Sequence, residues 1–206
     1  MTTVDIISDF ACPWCYIGKR NLDAVRAEAE IETRWHPYLL HPDVPAGGID
    51  RAELIRAKFG SEDRARELGR TVEEAAKAAG LFLDLGAVKR IPDTRDAHRV
   101  MRWAGGQGAA DRLAELLFAA HFVDGRDIGD PATLADLAGR AGLDPALVRE
   151  LLAGDADREA VQAQADHARS IGITGVPTMV LNRRLAVVGA QPVAALKDAL
   201  AQVTAS

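Results

Sequence analysis

Two cysteines stand in the 206-residue chain, as Cys12-Pro13-Trp14-Cys15. Sulfur at this spacing can exchange disulfides, ligate a metal or simply fill a core. Disulfide exchange needs one readily ionised thiol and a second that resolves the mixed disulfide. Residues three apart meet across one helical turn, and Pro13 suits a first helical position, where its missing N–H costs nothing. On that reading Cys12 is the cap-like, solvent-facing nucleophile and Cys15 the inward, resolving thiol. Unpaired N–H groups and the dipole at a helix start favour a thiolate there. Zinc is the rival chemistry, with His36 and His41 downstream. Five residues apart on a strand, these two face opposite sides, and their distance from the cysteines exceeds finger spacing.

The flanking pattern supplies the elements the pair needs. Val4-Asp5-Ile6-Ile7-Ser8 reads as a short strand. From Cys15 to about Ala29 the residues Gly18, Leu22, Val25 and Ala29 recur at helical spacing. Ile31 to Leu40 reads as a second strand, with Pro37 placing part of it at an edge or bulge. After the breaker-rich His41–Gly48, helical patterns run from Asp50 to about Ser170, with starts at Ser61-Glu62-Asp63, Asp130-Pro131 and Asp144-Pro145. Phe118, Phe122, Leu113, Leu116 and Leu117 form an apolar stripe there. Thr178–Leu181 and Leu185–Val188 then predict a hairpin about Asn182-Arg183-Arg184, and Pro192 to about Val203 a closing helix. The expected class is α/β: a thioredoxin-like fold, residues 1–45 and 170–206, interrupted by an inserted all-helical domain, 46–169.

Composition bounds the partners. A formal charge of −5 and a pI near 5.6 give no reason to expect nucleic acid. No apolar run approaches the ~18–20 residues that span a bilayer, so no membrane partner is expected. Met1-Thr2-Thr3-Val4-Asp5 lacks the basic start of an export signal. The expected compartment is the cytoplasm, where thiols stay reduced and a structural disulfide is disfavoured.

Gly175-Val176-Pro177-Thr178 is the second signal. Proline before a strand is ordinarily an edge or turn residue, but this layout pairs it with a distant C-x-x-C. Asp9-Phe10-Ala11-Cys12-Pro13-Trp14-Cys15-Tyr16-Ile17-Gly18-Lys19 resembles the DsbA-family oxidoreductases of the FrnE-like subgroup. So do Gly175–Thr178, Trp35–Leu40, Thr94–Arg99 and Val188–Pro192. The resemblance implies a thioredoxin fold with a helical insertion and thiol–disulfide oxidoreductase activity on protein or small-molecule disulfides. It also implies a cis Pro177 opposite the cysteines, with Val176 contacting an extended substrate through its main chain. No bound cofactor or metal is expected; glutathione is a candidate redox partner.

The same superfamily contains glutathione-dependent 2-hydroxychromene-2-carboxylate isomerases and kappa-class transferases, which typically carry Ser where this chain has Cys12. Both cysteines are kept here, which favours redox chemistry. A helical interaction module on an inert thioredoxin scaffold is the non-enzymatic alternative. Exported members place Pro-His between the cysteines. Pro13-Trp14 lacks that imidazole, so a potential between the DsbA and thioredoxin values is expected. Trp14 is read as an exposed substrate platform, and Pro13 and Asp9 as structural support. Lys19 and Arg20 read as solvated helix residues, or as attractors of an acidic tripeptide. His36, His98, His121 and His167 read as satisfied structural histidines, with His98 the one most able to line a cleft. Gln191 is either a cap or a substrate contact.

Overall fold

The computed structural model describes residues 1–59 and 62–204. Strand β1 (Thr2–Ser8), helix α1 (Pro13–Arg26) and strand β2 (Ile31–Pro37) come first. They are followed by β3 (Ile49–Asp50), α2 (Arg51–Phe59), α3 (Glu62–Ala78), β4 (Arg90–Ile91), α4 (Arg95–Gly105) and α5 (Ala110–Phe122). Next come α6 (Pro131–Ala141), α7 (Pro145–Ala153) and α8 (Arg158–Ser170), and then β5 (Thr178–Leu181), β6 (Leu185–Val188) and α9 (Val193–Thr204). The main sheet runs β2-β1-β5-β6. β1 and β2 are parallel, while β5 is antiparallel to both β1 and β6.

β2 is an edge strand ending at Pro37, as a proline without a ladder donor requires. α1 ends at Arg26, a turn earlier than its periodicity suggested. The β3–β4 pair, Ile49 opposite Ile91, lies within the stretch 46–169 expected to be all-helical and is invisible in the sequence because two residues carry no alternation. Asp130 and Asp144 cap α6 and α7, each accepting from two backbone N–H groups. Of the expected start at Ser61-Glu62-Asp63, Ser61 lies outside the described residues.

One face of the sheet packs Val4, Ile6 and Met179 against Leu22 and Val25 of α1 and Leu196 and Leu200 of α9. The opposite face sets Ile7 against Tyr38 and Ala168. A third cluster unites Phe10, Cys12, Cys15, Tyr16 and Ile17 with Leu113, Leu117, Phe118 and Phe122 of α5. The helices between β2 and β5 therefore build the wall against which the cysteine helix rests. Within them, Arg99 is fully buried. Its guanidinium donates to the Leu151, Gly154 and Ala156 carbonyls at 2.6, 2.7 and 2.6 Å and to Asp96 at 2.8 Å. A cation at the end of α7 satisfies carbonyls that the helix leaves unpaired.

Candidate active site

Strand register brings the two sequence signals together. Ile7 pairs with Thr178, so the chain leaving β1 passes beside Val176-Pro177, whose peptide is cis. Cys12 occupies the N-cap of α1 with extended φ/ψ and no side-chain cap bond, and Pro13 opens the helix. The Cys12 thiol donates to the Val176 carbonyl at 3.6 Å. That contact belongs to the protonated sulfur and is given up when the thiolate forms.

Cys12 is 4% exposed and Cys15 2%, both as free thiols. The expectation of an outward Cys12 is therefore corrected: Phe10 and the wall of α5 enclose that end of the helix along with the cysteines. Trp14, by contrast, is 36% exposed. Burial pushes the Cys15 thiol well above its ordinary range. The neighbouring Cys12 sulfur adds to the rise, and the Ser8 hydroxyl and Asp9 N–H oppose it without prevailing. Burial thus keeps Cys15 protonated at rest.

Gly18 is a residue whose role composition could not reveal. A Cβ there would lie 2.9 Å from Pro177 Cγ. The missing side chain lets α1 approach the proline that follows Val176. The only sequence trace is a glycine inside an otherwise good helix.

Asp9 is buried and its carboxylate braces two chain segments. It accepts from Ala11 N at 3.2 Å and from Leu40 N. Its Oδ1 lies 3.7 Å from His98 Nε2. Burial works against the charge. His98, the Leu40 N–H and Thr94 outweigh it, and the carboxyl is held below its usual range. His98 Nε2–H also donates to the Tyr38 carbonyl at 3.2 Å, and its ring lies 5.1 Å from Phe10. With Trp35 and Asp111 it lines a cleft of about 390 Å³ beside β2.

Lys19 is not solvated. Its ammonium is buried between Asp23 at 2.6 Å and Glu115 at 2.7 Å. Glu115 also accepts from the Tyr16 hydroxyl at 2.7 Å and pairs with Arg20 at 3.2 Å. Burial and the Glu115 carboxylate together push the Tyr16 phenol up. Of the histidines, His36 pairs with Asp5 at 2.8 Å, whereas His121 is buried with Nδ1 unpartnered, contrary to the expectation of a satisfied ring. Gln191 donates to the Val188 carbonyl at 2.8 Å. Among the described residues no cluster of three or more His, Cys, Asp or Glu has metal-holding geometry.

A cysteine pair at a helix start, facing a proline that opens an antiparallel strand, is the arrangement of thioredoxin-type redox proteins. Residues 3–201 match the DSBA-like thioredoxin domain. The chain belongs to this family, and it is a thiol–disulfide oxidoreductase. Among solved structures it is similar to a probable DsbA oxidoreductase, SCO1869, from Streptomyces coelicolor. That match has 31% identity and a TM-score of 0.90, over 100% of this chain and 91% of that one. It also shares the fold of a 2-hydroxychromene-2-carboxylate isomerase (18% identity, TM-score 0.75, 98% and 96% of the two chains). The cytosolic disulfide reductase DsbM from Pseudomonas aeruginosa, solved with GSH, has the fold at 20% identity and TM-score 0.68, over 98% of each chain.

Proposed function

We propose that Cys12 attacks and Cys15 resolves. The Cys12 thiolate displaces one sulfur of a substrate disulfide, forming a mixed disulfide and releasing a substrate thiolate. Cys15 then loses its proton and attacks Cys12 Sγ. The Cys12–Cys15 bond forms, the second substrate thiolate leaves, and two electrons have passed from the dithiol to the substrate. Run in reverse, the same steps oxidise a dithiol. The observation that carries the assignment is the Cys12 sulfur at the α1 start, 3.6 Å from the Val176 carbonyl.

In this reading Val176 offers its main chain to an extended disulfide-bearing segment, Pro177 shapes that edge and Trp14 gives it an apolar surface. Pro13 starts the helix and Asp9 holds the loop. Residues 46–169 serve as a helical insertion in a thioredoxin-like unit of 1–45 and 170–206, supported by the position of α2–α8 between β2 and β5. Glutathione is the proposed small-molecule partner and the cytoplasm the proposed compartment, supported by the shared fold of DsbM. Among the described residues no helix is long and apolar enough to cross a membrane.

The test is reduction of a model disulfide by the purified dithiol form. Cys12→Ser abolishes turnover, and Cys15→Ser accumulates a mixed disulfide at Cys12. Full turnover in Cys12→Ser overturns the assignment. Glutathione conjugation or isomerisation without thiol exchange would place the chain with the isomerases instead.

A further inference from the structure

A second site lies between α2 and α3. The chain forms an open cleft there of about 590 Å³, within the size range of small-molecule sites. None of its lining residues is a cysteine or belongs to the Val176-Pro177 segment. Its apolar wall comes from Ile55, Leu85 and Val88, and among the described residues its rim carries Arg51, Arg70 and Lys89 beside the acids Asp50 and Glu73, with Arg66 engaged in a contact of its own. Asp50 is engaged as a cap, accepting from Glu53 N at 3.1 Å, and neither acid forms an ion pair with Arg51 or Arg70 among the described residues.

Arg51 is the anomaly. Its side chain is half-buried, and burial alone lowers its affinity for its proton, with no carboxylate acting the other way. Its guanidinium has no hydrogen-bond or ion-pair partner among the described residues. Five donors partly withdrawn from water without an acceptor are costly. Arg51 is also the first residue of α2, where the helix dipole opposes a cation.

We propose that this cleft binds a small organic oxyanion. Its carboxylate or phosphate pairs with the Arg51 guanidinium, and its apolar body rests on Ile55, Leu85 and Val88. A planar fork of donors suits either head group in a bidentate pair. Arg70 and Lys89 at the rim add attraction, and an apolar tail gains from leaving water.

The test is an NMR titration of the isotope-labelled full chain with octanoate, octyl phosphate and octanol. At least one anion shifts the Arg51 Nε–H and the amides of residues 51–55 and 85–89 saturably, while octanol does not. The tighter anion assigns the head group. Arg51→Met lowers affinity at least tenfold, Arg51→Lys less, and disulfide exchange is unchanged in both. Should Arg51→Met not fold, Arg70→Met on the exposed rim lowers affinity several-fold. The proposal is overturned if neither anion moves the Arg51 resonance or if octanol binds equally well. Undiminished affinity in Arg51→Met, or in Arg70→Met where that variant stands in, overturns it too.

Discussion

Replacing His121 isolates the pH dependence of this fold. The ring lies in α5, 2% exposed, with Nδ1 unpartnered and its edge on Phe122 at a centroid distance of 4.6 Å. Burial dominates and lowers its pKa from 6.5 to about 4; the Arg126 backbone and the charges of Asp127 and Asp9 resist, and Arg51 assists. Above pH 6.5 the ring is neutral in folded and unfolded chains and contributes nothing to the pH dependence. As pH falls from 6.5 towards 4, the unfolded chain binds a proton that the native state refuses. Stability therefore declines through that window and levels below it. A tenfold difference in proton affinity between the two states corresponds to ~1.4 kcal/mol, so the loss from this group is about 3 kcal/mol. The carboxyls of Asp9, Asp111 and Glu115 are also lowered in the fold. Their sign gives stability lost only as pH falls below their unfolded values, 3.8 for the aspartates and 4.5 for the glutamate, so their window lies largely beneath that of His121. Urea unfolding at steps from pH 7.5 to 4.5 measures the slope. His121→Phe and His121→Gln each flatten it by about 2.5 kcal/mol between pH 7.5 and 4.5, whatever their stability at pH 7.5. A slope unchanged in both variants, or a His121 ring titrating near 6.5 by NMR, refutes the reasoning.

Three further outcomes are expected. Gly18→Ala gains about 1 kcal/mol of helix propensity but sets a methyl 2.9 Å from Pro177 Cγ. Exchange activity falls more than stability does, measured by disulfide turnover beside urea unfolding, and unchanged turnover would remove Gly18 from the site. Asp9→Ala leaves the Ala11 and Leu40 N–H groups without their acceptor; two such losses cost roughly 2–5 kcal/mol in urea unfolding, and a cost under 1 kcal/mol would deny the carboxylate its bracing role. The Cys12–Cys15 couple equilibrates with glutathione at a potential between about −270 and −120 mV, and Trp14→His raises it, because an imidazolium beside the helix start stabilises the reduced thiolate form. A more reducing Trp14→His variant would contradict that electrostatic argument.

The order of elements was legible in the sequence because local chemistry settles it. A run rich in β-branched residues sets β1, Asp-Pro pairs set the starts of α6 and α7, and Asn182-Arg183-Arg184 sets a hairpin whose strands fall at Thr178–Leu181 and Leu185–Val188. The C-x-x-C between a strand and a helix, matched by the distant Gly175-Val176-Pro177-Thr178, carried the redox reading. What only the tertiary structure decided are the relations between distant residues. The antiparallel register of β1 and β5 sets the Cys12 sulfur against a carbonyl 164 positions along the chain. Packing against α5 buries both cysteines and turns Lys19 from a surface residue into the partner of Glu115. Burial and ion pairing depend on what a helix face meets in space, and a face that is polar in sequence carries no record of the carboxylate supplied by another helix.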